Sequence, residues 1–323
     1  MNNIQTQAKN KFALLDKSIL KRNGLELDYD LNNPISNLEI LNDYTNDYHE
    51  FFEDPFVVSL VAKNASVMTY TLKDKECLSL NESEIFNSIV IVNVEKNANA
   101  ALFIESVASV TNSAILIICE DYSKFELVDL NSVSGQYCVY QYYKESSMGN
   151  SILISDSKSV NYSNFKSFLI GRKAEHNFNV FTKNSNSKSY KFITNHFKSS
   201  DCKGEIWIDG VLDSGAYSKI IGSINIDLSA GNTDSYMKKE IILLDDNSKL
   251  DCVPALEIKT NDVKAGHGVS VSKLDNQKLF YMMSRGLDEN TVVNLVIDGL
   301  LFKNIDKIQN ENVKTSIISY FEC

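Results

Sequence analysis

The sequence predicts a mainly β chain with small helical regions at its two ends, and three observations carry that prediction. Fifteen Tyr, sixteen Phe and many Ile and Val give the composition of a strand-rich fold. From Phe56 onward, apolar residues recur with a period of two over roughly a dozen short segments, with no helical pattern between them. At about Leu274 the period returns to that of a helix. Three prolines and thirteen glycines are few for 323 residues, so Asn, Ser and Asp must make most turns, as in "KNSNSKS" at 183–189.

Residues 1–50 read as an N-terminal helical region. Phe12, Leu15, Ile19 and Leu20 share one helical face, and Gly24 is placed to end it. The β core, 51–272, opens with "FVVSLVA" and continues through "SVMTYTL", "SIVIVNV", "ALFIESVAS", "AILIIC", "KFELVDL", "QYCVYQYY", "SILIS", "NFNVFT", "SYKFIT", "GEIWIDG" and "KIIGSINIDL". Polar corners and a near absence of Asn-Gly or Asp-Gly hairpin turns fit either a sandwich or a stack of parallel coils, and periodicity alone leaves both open. Residues 273–323 read as three helices. Asp275 caps the first, Leu279, Phe280, Met282 and Met283 form its face, and Arg285-Gly286 ends it. Asp288 caps the second, with Val292, Val293, Val296, Leu300 and Leu301 as its stripe; the third starts near Ile308 with Val313, Ile317 and Phe321.

A net charge of −10 and a pI near 5.0 argue against a nucleic-acid or anionic-membrane surface. The start of the chain has no apolar core of secretory length, and the run at 114–119 is far short of a bilayer span, so a cytoplasmic location is expected. Cysteines at 77, 119, 138, 202, 252 and 323 form no close pair, which reads as reduced thiols without a metal site legible from spacing. The phosphate-cradling loop, the nucleophile elbow and the His-Glu-x-x-His pair are all absent.

The stretch "DVKAGHGVSVSKLDNQKLFYMMSRGLDE" sets His267 between Gly266 and Gly268, just before a helix. A lone strand histidine is more often structural than a ligand, and paired glycines mark either a bulge or a place of close approach to the imidazole. His49, His176 and His196 lie far apart in sequence and read as surface or satisfied core residues.

One spaced series is more specific: Pro254-x-Leu256-Glu257-Ile258, Asp262-Val263-Lys264, His267-Gly268, Leu279-Phe280-Tyr281 and Ser284-Arg285-Gly286. Over about fifty-five residues it resembles the C-terminal core of the SufB/SufD family, scaffold subunits of the SUF iron–sulfur assembly system. The resemblance implies a right-handed parallel β-helix with helical ends. It also implies pairing with a second β-helix subunit through the last strands, and docking of a SufC-type ABC ATPase on the C-terminal helices. His267 would then hold a transient iron–sulfur cluster at the subunit interface, Gly266 and Gly268 would admit the second copy, and ATP would bind only to the partner. A sulfur donor protein is implied as a further partner, and a flavin is left undecided. Phe280, Tyr281, Arg285 and Gly286 are the candidate ATPase contact, with Phe280 and Tyr281 alternatively core.

The chain departs from the SufB pattern where Ser248 stands in place of a cysteine and Gly268 in place of a glutamate. Cys252 shares strand parity with Ser248 and is either a replacement ligand or a buried structural thiol. The short length favours a homodimer, with a SufB/SufD-like heterodimer as the alternative. Two other classes remain at this stage: a polysaccharide-active β-helix enzyme and a purely structural or binding solenoid.

Overall fold

The computed structural model describes residues 38–63, 65–107, 111–132, 134–157, 159–274 and 276–322. The expected N-terminal helix at 7–24, the Asp275 cap and Cys323 lie outside the described residues.

Sixteen strands are formed among them: β1 (Ser66–Leu72), β2 (Cys77–Asn81), β3 (Ser88–Val94), β4 (Asn99–Ser106), β5 (Thr111–Cys119), β6 (Lys124–Asn131), β7 (Gly135–Tyr143), β8 (Met148–Ser157), β9 (Asn161–Leu169), β10 (Glu175–Ser185), β11 (Lys188–Phe197), β12 (Lys203–Asp213), β13 (Tyr217–Ile226), β14 (Thr233–Leu243), β15 (Lys249–Ile258) and β16 (Val263–Lys273). Odd strands stack in chain order as one eight-stranded sheet and even strands as another, every pairing parallel. Each coil of the chain thus supplies one strand to each sheet. This is a β-solenoid, and it decides between the two architectures that periodicity allowed.

The coil corners explain how so few glycines suffice. Lys75, Asn97, Tyr122, Ser146, Lys173, Asp201 and Asn232 each take a left-handed conformation, with φ between 52° and 67°. Each N–H from Asn97 onward donates to a carbonyl of the next coil, from Asn97 to Asp121 at 3.1 Å through Asn232 to Asp262 at 2.6 Å. The corner residues lie 22 positions apart at the start (Lys75 to Asn97) and 31 at the end (Asp201 to Asn232), so the solenoid widens along the chain.

Side chains alternate between lumen and outer face. Ile115, Val139, Phe165, Phe178, Ile193, Ile206, Ile220 and Met237 belong to one core that fills the lumen. Two helical units cover the outer faces. Helices α1 (Leu38–Thr45), α2 (His49–Phe52) and α3 (Pro55–Ala62) pack Leu41, Phe51, Val57 and Leu60 on Ile91, Leu116, Tyr140 and Phe168 of the odd sheet. The short α4 (Glu82–Ile85) links β2 to β3. After β16 come α5 (Asn276–Ser284), α6 (Glu289–Ile305) and α7 (Glu311–Glu322), with Leu301, Ile305, Val313 and Ile317 packed on Val128, Ile152, Ile154 and Phe181 of the even sheet. The Asp288 cap is present, accepting from Thr291 N–H at 3.0 Å.

One expectation is corrected. "FVVSLVA" is α3, not a strand, because Asp54 accepts the Phe56 N–H at 2.9 Å and Pro55 sits at the first turn, where its missing N–H does no harm. No helix among the described residues is long and apolar enough to cross a membrane.

Candidate functional site

β15 and β16 end their respective sheets, so the last coil has a neighbour on one side only. Leu250 and Leu256 of β15 pack into the lumen core, and Cys252 shares their parity. It stacks in register on buried Ile220 and is half-buried itself. On β16, Val263 and Ala265 pack inward, which turns His267 to the lumen side above its register partner Met237. His267 is exposed because nothing stacks on it. One coil below, Gly222 and Met237 face each other across the lumen, since a Cβ on Gly222 would come within 2.4 Å of the Met237 sulfur. Their register partners, Pro254 and His267, therefore stand on facing sheets at the lumen mouth, with Cys252 two residues before Pro254.

Gly266 and Gly268 have the opposite parity and face outward. A Cβ on Gly266 would lie 3.3 Å from the Tyr236 ring, and one on Gly268 would lie 2.9 Å from its hydroxyl. The room these glycines leave is taken by Tyr236 of the same chain. Ser248 precedes β15 and sits in a turn, its hydroxyl donating to Asp245 at 2.5 Å, so strand parity does not connect it to Cys252.

Electrostatics at the mouth are set by a residue that sequence reasoning missed. Lys239 of β14 shares parity with core residues Met237 and Ile241 and is 0% exposed. Its ammonium donates to Val253 O at 2.7 Å and to Ile220 O at 3.4 Å. Burial pulls its pKa down to about 8, and Cys252 acts against that shift. Burial in turn pushes the Cys252 thiol up, with Lys239 pulling it back and Asp251 adding to the rise. The available signal was a Lys-Lys pair in an alternating strand, which must send one lysine inward, although the sequence does not say which.

The remaining cysteines do not line up with this mouth. Cys119 and Cys202 are buried in the lumen, Cys138 lies on the outer face beneath the N-terminal helices, and Cys77 is exposed near the narrow end. His176 is buried in the lumen, while His196 lies 3.1 Å from Asp227. Among the described residues no three His, Cys, Asp or Glu converge on one point.

Phe280, Tyr281 and Met283 of α5 are 74%, 56% and 43% exposed. Arg285 donates to the Tyr281 hydroxyl at 3.0 Å and lies over its ring, and Gly286, with φ +95°, closes the helix. These five residues form an exposed patch after the last strand, joined to the solenoid through α6.

A match to the description "SUF system FeS cluster assembly, SufBD core domain" spans residues 77–300. The iron–sulfur cluster assembly protein SufD of Bacillus subtilis is 23% identical over 256 residues, covering 75% of this chain and 58% of the relative. A SufBD family protein of Mycobacterium tuberculosis is 31% identical over 130 residues, covering 38% and 33%, and the SufD protein of Escherichia coli is 29% identical over 98 residues, covering 30% and 23%. The chain thus spans well under two thirds of the length of each of these relatives. Matched over most of its length, and folded as a two-sheet solenoid with helical ends, the chain belongs to the SufBD family of the SUF iron–sulfur cluster assembly system.

Proposed function

We propose that this chain is a scaffold subunit for iron–sulfur cluster assembly, working as one half of a pair joined at the β15–β16 coil. The supporting observation is the asymmetry of the two solenoid ends. β1 and β2, of 7 and 5 residues, form a short edge that exposes no large apolar side chain, whereas β15 and β16, of 10 and 11 residues, expose Val253, Ile258, Val269 and Val271 around Cys252 and His267. Short edges resist further pairing; a long apolar edge invites a second chain.

A homodimer would bring two thiols and two imidazoles together about a twofold axis, four ligands for a cargo that a single chain holds with two. A heterodimer with a SufB-like subunit is the second arrangement, and it would supply the missing ligands from the partner. Thiolate grips iron firmly, while imidazole is a weaker, pH-sensitive ligand, so a site shared between subunits releases its cargo when they move apart. The exposed α5 patch of Phe280, Tyr281, Arg285 and Gly286 would dock the SufC ATPase, which alone binds ATP; a sulfur donor protein would supply sulfide.

The test is anaerobic addition of iron and sulfide to the purified chain, with visible absorbance and solution mass read together. The natural chain is expected to form a coloured dimer, and His267→Ala to lose the colour while keeping its far-ultraviolet circular dichroism. A colourless, well-folded monomer would overturn the self-sufficient homodimer.

A further inference from the structure

Lys239 is a buried cation with no carboxylate within 4.0 Å among the described residues. Two carbonyls satisfy two of its three N–H bonds but do nothing for its charge. Such a group is costly in a protein interior unless an anion accompanies it. The fold nevertheless makes room for it. A Cβ on Gly222, on the facing strand, would lie 2.9 Å from Lys239 Cε and 3.2 Å from its Nζ. One carbonyl that anchors the ammonium belongs to Val253, the residue after Cys252, and the other to Ile220, the residue on which Cys252 stacks. The lysine is thus clamped around the thiol's position on its strand. Glu240, next to Lys239, and Asp251, next to Cys252, have the opposite parity and pair with Lys238 and Lys219 on the outer face.

We propose that Lys239 is the counter-charge for an anionic sulfur at Cys252, a thiolate, a persulfide or a bound sulfide, and so makes the lumen mouth select anionic over neutral sulfur species. The inference rests on Cys252 being the sulfur-bearing residue of the site. An ammonium beside a sulfur anion forms a charge-assisted hydrogen bond and raises the local concentration of anions, whereas it gives a neutral species no such advantage. No bond is made or broken by Lys239 itself; it is a positioning residue.

The experiment measures how fast Cys252 in the full chain reacts with two disulfides of similar size, anionic dithiobis-nitrobenzoate and a neutral dipyridyl disulfide, with modification followed on the Cys252 peptide by mass. The ratio of the two rates cancels the thiol's own ionisation and its access. Lys239→Gln, which can still donate to the two carbonyls but carries no charge, is expected to lower the anionic-to-neutral ratio by about tenfold, and Lys239→Arg to keep it near the natural value. An unchanged ratio in a natively folded Lys239→Gln chain would show that the lysine merely ties the sheets together, and would overturn the proposal. So would a natural chain whose Cys252 shows no preference for the anionic reagent. Iron and sulfide uptake separates the two failures: uptake that survives Lys239→Gln with an unchanged ratio sinks the lysine's role alone, whereas a preserved charge preference in a natural chain that takes up no cluster sinks the self-sufficient homodimer alone.

Discussion

Acid should destabilise this solenoid through one lumen histidine. His176 is 0% exposed; its Nδ1–H donates to Asn195 Oδ1 at 3.2 Å, its Nε2 lies 3.0 Å from the Ser151 hydroxyl, and its ring packs on Tyr143 and Phe178. Burial pulls its pKa from 6.5 down to about 3, with the Asn195 bond opposing that shift. The folded chain keeps the ring neutral, while the unfolded chain takes up a proton near pH 6.5, so the unfolded state binds more protons throughout that window. The contribution is complete above pH 6.5 and is lost as pH falls towards about 3. Each pH unit in the window removes about 1.4 kcal/mol, which makes a loss of about 2 kcal/mol by about pH 5. Chemical denaturation of the natural chain and of His176→Gln, each at about pH 7 and about pH 5, isolates the site because every other group titrates in both. The natural chain should lose about 2 kcal/mol more than the variant on acidification. Parallel losses would mean that the native lumen admits the proton, refuting the sealed interior.

The buried charged side chains of Asp129 and Lys191, 2% and 5% exposed on opposite sheets, give a second test of the lumen. Burial raises Asp129 to about 7 and lowers Lys191 to about 8, each opposing the other's shift. Lys191→Met should cost about 1 kcal/mol by removing the cation that opposes the Asp129 shift, and adding Asp129→Asn should recover most of it in the same denaturation assay. Gly222→Val should cost about 1–3 kcal/mol, because its Cβ would overlap the Met237 sulfur and crowd Lys239; an unchanged midpoint would show that the mouth has spare volume. Phe280→Asp should leave stability within about 0.5 kcal/mol yet abolish capture by a SufC-type ATPase, and Arg285→Glu should weaken that capture. Retained binding would move the docking surface elsewhere.

Strand existence was legible wherever the lumen face is apolar, as in "SIVIVNV" and "AILIIC", because alternation against aliphatic neighbours is a strong signal. It failed on β9, "NYSNFKSFL", whose lumen positions include Asn161, Ser163 and Ser167. There two of the inward side chains find partners on other coils, Asn161 donating to Asn131 at 3.2 Å and Ser167 to Asn195 at 2.6 Å, so polarity and burial no longer exclude each other. The α3 segment was misread because a continuous apolar run has no period of its own, and the Asp54-Pro55 start signal carried the answer. The spaced series around His267 put it near the end of the β region, and the structure sets it on the last strand, β16. Lys239 was not legible, since Lys238 and Lys239 look equally solvated until the register of β14 is known. The glycines flanking His267 suggested space, but only the fold shows that Tyr236 fills it.

The widening of the solenoid links these features. As the repeat lengthens from 22 to 31 residues the lumen gains cross-section, and aliphatic side chains of fixed size cannot fill it alone. Part of the surplus is filled by buried polar groups: the hydrogen-bonded string of Gln141, Ser151, His176 and Asn195, the charged side chains of Asp129 and Lys191, and Lys239 near the wide end. At inner coils these groups are closed in by the next turn of chain. At the last coil no turn follows, so the half-buried Cys252 and the exposed His267 stand at the long edge, with the buried Lys239 ammonium one coil below them.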